Sequence, residues 1–438
     1  MAKPHKPVPR IEARIRMSQE WLIVGGGIHG VHLAARLIAE AGVPRDRVTI
    51  ADPAEKLLSR WHSCTDVTGM RFLRSPAVHH LDLHHASLKH FADEKRMRKS
   101  DSFTEPYGRP ALHLFNQHSA HLIDSLGLDT IHRQDRVVSC KPHRSGVLVK
   151  LAEEGWVETQ NVLLAIGTSE QPSWPSWALR GHNRVHHVFE PGFQGWPTGE
   201  KERVAVVGGG ISAVQIALRL AGEGHSVRLV TRHEFRVHQF DSDPGWLGPR
   251  VRIDFDKQRQ TSRRREIITE ARHRGSIPPD VSAALRHALR EEKIIWDQQS
   301  IEELIPDDEL LGVRFADGRV IGADRVLLAT GFAARRPGGR MINELIRYAD
   351  LPCAECGYPI IDKALRWHKN IRVTGPLADL EIGPISRNIA GARAAGDRIV
   401  STVKQKSWRK SISSALTSGA GLFRSESRKS ITPVASVD

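Results

Sequence analysis

The sequence predicts an α/β fold in which one structural unit occurs twice. Two segments each combine a short apolar strand, a glycine-rich turn and an amphipathic helix: WLIVGGGIHGVHLAARLIAEAG from Trp21 and RVAVVGGGISAVQIALRLAGEG from Arg203. Each is later followed by a nearly identical strand, VLLAIG ending at Gly167 and VLLATG ending at Gly331. Short apolar runs that end in glycine are typical of buried parallel strands, so we expect two parallel sheets.

The first glycine turn has the pattern G-x-G-x-x-G at Gly25, Gly27 and Gly30. In a dinucleotide-binding turn, the first glycine permits the tight bend and the second leaves the backbone open to a pyrophosphate. The third lets the helix pack closely against the strand. We expect the helix to begin near Ile28 and to direct its N-terminal amides at the phosphates.

An acidic residue completes the first unit. Asp52 follows a strand from Val48 to Ala51, at the place where a carboxylate accepts hydrogen bonds from a ribose hydroxyl. Strand, glycines, helix, strand and acid fall in the order of a Rossmann-like dinucleotide-binding domain.

The second unit differs at two places. Its turn has alanine in the third position, after Gly208 and Gly210, at Ala213, and its second strand ends in Thr231 and Arg232. An arginine can pair with a 2'-phosphate, which a carboxylate would repel. The second site therefore favours NADPH over NADH.

Composition sets outer limits on the function. The chain has 438 residues, a formal net charge of +14 and 4 cysteines. This length suits two or three domains, and no apolar run approaches the roughly 18 residues that a membrane span needs. So few cysteines do not form a disulfide framework, which favours the cytoplasm.

The positive charge is concentrated in the N-terminal tail, in residues 250–274 and after Lys404. It can attract anionic ligands, nucleic acid or a membrane surface, or it can be a solvated surface. Since no nucleic-acid-binding motif accompanies it, we expect no nucleic-acid partner.

Two dinucleotide folds in one chain resemble a large flavoprotein group. That group includes the disulfide reductases, the flavin-containing and Baeyer–Villiger monooxygenases, and the lysine or ornithine N-hydroxylases. The resemblance covers about 21–403, and the segment 324–332 is similar to the D-x-x-x-L-A-T-G signature of the N-hydroxylating branch. The segment 181–191 is similar to the linker fingerprint of the monooxygenases. It has one extra residue before His186, and Glu190 stands where an aromatic residue is usual.

The segment from Val373 to Arg393 resembles the last FAD-binding element of the group, in which a helix N-terminus faces the pyrimidine edge of the flavin. Gly383 and Pro384 fit, because proline suits the first turn of a helix. Pro376 stands where the disulfide reductases have aspartate, which counts against that branch.

The resemblance implies FAD in the first unit and NADPH in the second, with a small-molecule substrate and dioxygen as partners. By resemblance, Arg71 and Leu73 lie in a flavin-contacting loop, and the backbone at Val137 meets the adenine. No catalytic residue and no metal ligand is identified, and the oligomeric state is left open. The candidate cofactor-binding residues are Gly25, Gly26, Gly27, Ile28, His29, Gly30, Asp52, Arg71, Leu73, Val137, Gly167, Gly208, Gly210, Ile211, Ser212, Ala213, Thr231, Arg232, Thr330, Gly331, Gly375, Gly383, Pro384 and Ile385.

The domain organisation that we expect inserts the NAD(P)H domain into the FAD domain. Residues 18–170 and 332–405 form the FAD domain, 200–331 form the NAD(P)H domain, and 171–199 connect them. Residues 1–17 form a basic tail and 406–438 a disordered tail.

Three functions stay open. The resemblance implies that NADPH passes hydride to flavin N5 and that reduced flavin captures oxygen as a C4a-hydroperoxide, which hydroxylates an amine or a sulfur. Alternatively, the electrons pass to a thiol, a quinone or a protein without oxygen insertion. The third alternative is a non-catalytic flavin-binding regulator.

Three further features allow two interpretations each. Cys353 and Cys356 form C-x-x-C, either a redox dithiol or an unrelated pair, since they lie outside both places where the reductases carry their cysteines. The histidine-rich run 79–85 can hold a metal or have ordinary polar roles. The segment 241–274, rich in Trp, Pro and Arg, is either a lid or substrate-binding excursion or a charged surface helix pair.

Overall fold

The structure, a computed structural model, describes residues 19–196 and 200–404. The expected basic tail, 1–17, and the expected disordered tail, 406–438, lie outside the described residues. No helix in the described part of the chain combines the length and the apolar character needed to cross a bilayer.

The elements fall into three consecutive sets. The first contains β1 (Gln19–Val24), α1 (Ile28–Ala39), β2 (Val48–Asp52), α2 (Ser59–Thr68), α3 (Ser87–Glu94), α4 (Lys99–Ser102), β3 (Phe103–Thr104), β4 (Arg109–Pro110), α5 (Leu112–Ser125), β5 (His132–Gln134), β6 (Val137–Pro142), β7 (Val147–Leu151) and β8 (Gly155–Leu164). The second contains β9 (Val185–His187), β10 (Arg203–Val207), α6 (Ile211–Gly222), β11 (Ser226–Thr231), β12 (Arg236–Val237), α7 (Pro249–Lys257), α8 (Thr261–Ala271), β13 (Ser276–Ile277), α9 (Pro279–Arg290), β14 (Ile294–Gln298), β15 (Ile301–Ile305), β16 (Leu311–Phe315), β17 (Val320–Ala323) and β18 (Arg325–Leu328). The third contains α10 (Gly339–Ala349), β19 (Arg366–His368), β20 (Ile371–Val373), α11 (Asp379–Ile382) and α12 (389–404).

The first sheet has the order β19-β20-β8-β1-β2-β5, and β7 and β6 extend it from β8. Its centre is parallel: β1 lies between β2 and β8, and β20 pairs with the other side of β8. The central strands are apolar and buried, as strands covered on both faces must be. Because β20 follows the second sheet in the chain, the second unit is inserted into the first, and the predicted fold class is confirmed.

The second sheet is parallel throughout, with the order β14-β11-β10-β18-β9. Strand β10 occupies the central position that β1 has in the first sheet. Strand β9 belongs to the expected connector, 171–199, so this connector contributes an edge strand of its own. A small antiparallel sheet of β15, β16 and β17 packs beside it.

Helices α1 and α6 have 12 residues each and follow the two central strands directly. Each ends shortly before a glycine with positive φ, Gly42 after α1 and Gly224 after α6. A glycine in this conformation is a common way to stop a helix, because an L side chain is strained there.

Arginine side chains join the two halves. Arg74 donates to the carbonyl oxygen of Gln239 and to the hydroxyl of Ser276, both at 2.8 Å. Arg109, which is 2% exposed, pairs with Asp280 at 2.9 Å. A buried guanidinium needs such partners because desolvation is costly, so these contacts fix how the halves pack together.

Several histidines are buried as neutral side chains. Burial lowers the pKa of His29, His79, His80 and His187 from 6.5 to about 4, and that of His32 to about 3. His32 is fully buried in α1, with its Nδ1 hydrogen-bonded to the carbonyl oxygen of Leu81. Since the neutral form fits the folded chain, protonation favours unfolding.

We expect the free energy of unfolding to fall as the pH is lowered from about 6.5 towards 4. In this window the unfolded histidines bind protons and the folded ones do not, so each contributes a slope of about 1.4 kcal/mol per pH unit. Urea unfolding across this range should show a shallower slope for His32→Gln than for the wild type. His113→Gln, which changes an exposed histidine, is the control, and equal slopes for wild type and His32→Gln would contradict the assignment.

Candidate dinucleotide sites

The first glycine turn is built by close backbone contacts. Gly25 has φ +111°, and a Cβ on it would lie 2.7 Å from the carbonyl oxygen of Ala165. A Cβ on Gly30 would lie 1.8 Å from the carbonyl oxygen of Gly25. At Gly27, by contrast, no atom lies within 4 Å of the Cβ position. The turn therefore leaves open space at the residue that the sequence predicts to meet a pyrophosphate.

Asp52 lies half-buried at the end of β2, beside this turn. Its Oδ2 accepts the backbone N–H of Gly26 at 2.7 Å, and its Oδ1 accepts that of Ala54 at 2.9 Å. Each carboxylate oxygen has a further lone pair. The side chain thus fixes the turn and can still accept from a ribose hydroxyl.

The segment after β20 lies directly on the first turn. Nδ1 of His29, in the first turn of α1, hydrogen-bonds with the hydroxyl of Thr374 at 2.8 Å. Gly375 has φ +63°, and a Cβ on it would lie 3.9 Å from the His29 ring. The first glycine turn and the segment after β20 are therefore in contact. The sequence predicts that these two distant segments meet at one cofactor.

The local structure at Gly383 and Pro384 differs from the expected start of a helix. Pro384 opens a short 3-10 turn, Pro384–Arg387, and α12 begins only at residue 389. Asp379, which is fully buried, lies beside this 3-10 turn, and its carboxylate accepts from the Ser386 hydroxyl and from Arg387. Burial raises the pKa of this carboxyl, but the neighbouring arginines outweigh burial and lower it.

The second glycine turn repeats the first with one difference. Gly208 has φ +148°, and a Cβ on it would lie 2.5 Å from the carbonyl oxygen of Ala329. The Cβ position of Gly210, however, lies 3.5 Å from Cα of Gly275. Gly210, which corresponds to Gly27, therefore has a neighbouring chain segment next to its Cβ position.

Arg232 follows β11 beside the second turn. Its side chain is exposed and has no hydrogen-bond or ion-pair partner among the described residues. The neighbouring Thr231 is buried, accepts from Trp296 Nε1 and donates to the carbonyl oxygen of His233, both at 2.9 Å. Arg232 is thus the free polar group at this position, and Thr231 supports the strand end.

The segment 324–332, which is similar in sequence to the N-hydroxylase signature, makes structural contacts through Asp324 and Thr330. Asp324 accepts the backbone N–H of Arg203 at 2.7 Å and its guanidinium at 2.9 Å, which ties β18 to β10. The Thr330 hydroxyl donates to the Ser173 carbonyl oxygen at 2.6 Å and lies 3.2 Å from Nε2 of His187. The candidate Thr330 is therefore held by the connector, and Asp324 lies at the far end of its strand.

The other candidates occupy varied environments. Leu73 and Val137 are buried, at 2% and 8% exposure, whereas Arg71 is exposed. The remaining positions lie at strand or helix ends: Ile28, Gly167, Ile211, Ser212, Ala213, Gly331 and Ile385.

The cysteine pair and the histidine run lie away from both turns in sequence. Cys353 is half-buried and Cys356 exposed, and both are free thiols. Burial raises the pKa of the Cys353 thiol despite the nearby Arg336. Residues 79–85 form bends and turns and not a helix, and in the described part of the chain no group of three or more His, Cys, Asp or Glu side chains is placed to hold a metal ion.

Sequence reasoning missed the arginines that hold the segment 241–274. Arg264 pairs with Glu381 at 2.9 Å and Arg265 with Asp379 at 3.1 Å. These contacts join α8 to the element around Gly383. Their only signal in the sequence was the concentration of arginine in that segment.

Two glycine turns at the carboxyl ends of parallel strands define an α/β protein with two dinucleotide-type sites. Residues 22–274 match the family described as pyridine nucleotide-disulphide oxidoreductase. The chain belongs to this oxidoreductase family.

Many solved structures share the fold, including two from bacteria. Ornithine hydroxylase PvdA from Pseudomonas aeruginosa has a TM-score of 0.70 at 15% identity, over 88% of this chain and 99% of that one. DfoA bound to FAD, a cadaverine monooxygenase of desferrioxamine biosynthesis from Erwinia amylovora, has a TM-score of 0.69 at 14% identity, over 89% and 95%.

One curated relative matches part of the chain. It is named uncharacterized oxidoreductase CzcO, from Bacillus velezensis, and is 25% identical over 203 residues. The match covers 46% of this chain, and the chain spans 55% of that relative's length.

Proposed function

We propose that this chain is an FAD- and NADPH-dependent monooxygenase that hydroxylates a soft nucleophile, an amine or a sulfur. The observation that carries the proposal is the pair of unlike glycine turns, with Asp52 beside the first and the exposed Arg232 beside the second. A flavin and a phosphorylated nicotinamide cofactor are the pair of ligands that this difference suits.

The first turn fits FAD. The space over Gly27 can admit a pyrophosphate, and the N-terminus of α1 supplies its amides and positive dipole end. Asp52 is available to the ribose, and the Gly383–Pro384 turn would lie at the isoalloxazine. Bound there, FAD accepts hydride and supplies electrons to an acceptor.

The second turn fits NADPH, with Arg232 as the partner of the 2'-phosphate. Guanidinium groups bind phosphate through paired, charge-assisted hydrogen bonds. Because NADH lacks the 2'-phosphate, this residue would favour NADPH over NADH.

The nature of the acceptor separates two chemistries. PvdA and DfoA are named as a hydroxylase and a monooxygenase, which supports oxygen. The family description includes disulphide oxidoreductases, which supports a thiol. We favour oxygen because Pro376 replaces the aspartate of the reductases and because the raised pKa of Cys353 disfavours a reactive thiolate.

Gly27→Val should give a folded protein without FAD. The chain itself leaves room for this side chain, whereas a pyrophosphate would collide with it. Flavin absorbance per polypeptide measures the loss, and the far-ultraviolet circular dichroism spectrum checks the fold. Gly222→Val, at another glycine with an open Cβ position, should remain yellow; normal flavin content in Gly27→Val would refute the assignment of the first site.

Arg232→Ala should weaken NADPH binding and spare NADH. A hydrogen bond to a charged group is worth about 1.5–3 kcal/mol, which corresponds to roughly 10- to 100-fold in affinity. KM values for both cofactors are compared with those of Arg236→Ala, an exposed arginine on the neighbouring β12. An unchanged preference in Arg232→Ala would place the phosphate partner elsewhere.

The double change Cys353→Ser and Cys356→Ser should leave NADPH oxidation and oxygen reactivity almost intact, because flavin alone would carry the electrons. The variant is reduced with NADPH without air and then mixed with oxygen in a stopped-flow instrument. A transient absorbing in the near ultraviolet before the oxidised spectrum returns supports oxygen insertion. Its absence, together with lost turnover in the double variant, would instead favour a thiol reductase.

A further inference from the structure

The segment 241–274 packs on the FAD half through its apolar side chains, while charged side chains of its two helices, such as Arg263 and Glu270, are exposed. Trp246, Phe255 and Ile268 are buried in the same hydrophobic core as β1. A Cβ on Gly383 would lie 3.5 Å from the Phe255 ring and 3.6 Å from the Trp246 ring. The segment therefore covers the turn that the sequence predicts to face the flavin.

Arg272 makes the contact nearest to this turn. Its Nη2 donates to the carbonyl oxygen of Pro384 at 2.7 Å and lies 3.9 Å from Oδ1 of Asp379. The side chain is only 16% exposed. A guanidinium held in this way places a positive charge beside the Gly383–Pro384 turn.

Gly275, three residues after Arg272, lies at the second glycine turn. Gly275 lies 3.5 Å from the Cβ position of Gly210, whereas Gly27 in the first turn has open space there. A pyrophosphate seated on Gly210 would thus contact or displace Gly275. The first site has no such neighbour.

The stretch 272–276 is internally braced. The backbone N–H of His273 donates to the carbonyl oxygen of Asp241 at 2.9 Å, and Arg274 N–H donates to Arg272 at 2.9 Å. The Ser276 hydroxyl donates to the carbonyl oxygen of His273 at 2.6 Å. These bonds connect residues on either side of Gly275, so a short, hydrogen-bonded piece of chain joins Arg272 to the second glycine turn.

We propose that Arg272 is a positioning residue that couples occupancy of the second dinucleotide site to the Gly383–Pro384 turn beside the flavin. The coupling rests on the proposed function, since it needs both cofactors. When a pyrophosphate displaces Gly275, the Arg272 guanidinium moves relative to Pro384 and changes the electric field at the flavin edge. Such coupling is reciprocal in free energy, so it alters binding as well as the flavin environment.

The test is a titration of the oxidised, FAD-loaded protein with NADP⁺, followed through the flavin absorption spectrum. The wild type should show a saturable difference spectrum, because flavin absorption responds to the local field. Arg272→Gln removes the charge and should lose most of that amplitude while NADP⁺ still binds, as measured separately by calorimetry. Arg272→Lys, which keeps the charge, should recover part of it.

Arg264→Gln is the matched control. Arg264 contacts the same element, through the Leu380 carbonyl oxygen at 2.7 Å and Glu381 at 2.9 Å, but lies eight residues before Arg272. This variant should keep the full difference spectrum, and thermal unfolding shows whether each variant is folded. Should Arg272→Gln prove unfolded, Arg272→Lys and Arg264→Gln still decide, since equal amplitudes in these two would overturn the coupling.

The outcomes separate the two proposals. A wild type that binds neither FAD nor NADP⁺ overturns the proposed function and the coupling with it. A wild type that binds both without a difference spectrum, or a full spectrum in Arg272→Gln, overturns the coupling alone.

Discussion

Both sites depend on close backbone contacts around a glycine turn. At Gly30, in α1, the carbonyl oxygen of Gly25 occupies the place of a side chain, and at Gly208, in the second turn, the carbonyl oxygen of Ala329 after the neighbouring β18 does so. These contacts allow α1 and α6 to start immediately at the ends of β1 and β10. As a result, free backbone amides and the positive helix ends point at the two crevices. The glycines there are dictated by space, whereas the charged residues nearby, Asp52 and Arg232, differ between the two sites.

The two units share this scaffold but differ in their surroundings. The first has open space over Gly27 and a carboxylate at Asp52, and the second has Gly275 against Gly210 and a guanidinium at Arg232. The contact at Gly210 arises because the chain that folds back over the first half, residues 241–274, continues into Gly275 at the second turn. One stretch of chain thereby packs on both halves.

The sequence predicted features that depend on neighbours along the chain. The repeated unit, the order of strands and helices, and the positions of the glycine turns follow from periodicity and glycine spacing. The sequence did not predict contacts between distant segments. Arg264 and Arg265 look solvent-exposed by composition, yet Glu381 and Asp379 hold them at more than one hundred residues' separation. Likewise, no local pattern indicates that a 3-10 turn, Pro384–Arg387, stands where a helix start is expected.

The pairing of β20 with β8 has a consequence for the order of synthesis. Strand β8 ends at Leu164, but its outer neighbour is formed by residues 371–373. During translation the second sheet can therefore be complete while one edge of the first is still unpaired. While it lacks its partner, this apolar strand exposes backbone groups that are normally buried, and such an edge is prone to pair with other chains. This edge of β8 thus stays without its native partner until about two hundred further residues have been made, when β20 becomes available to pair with it.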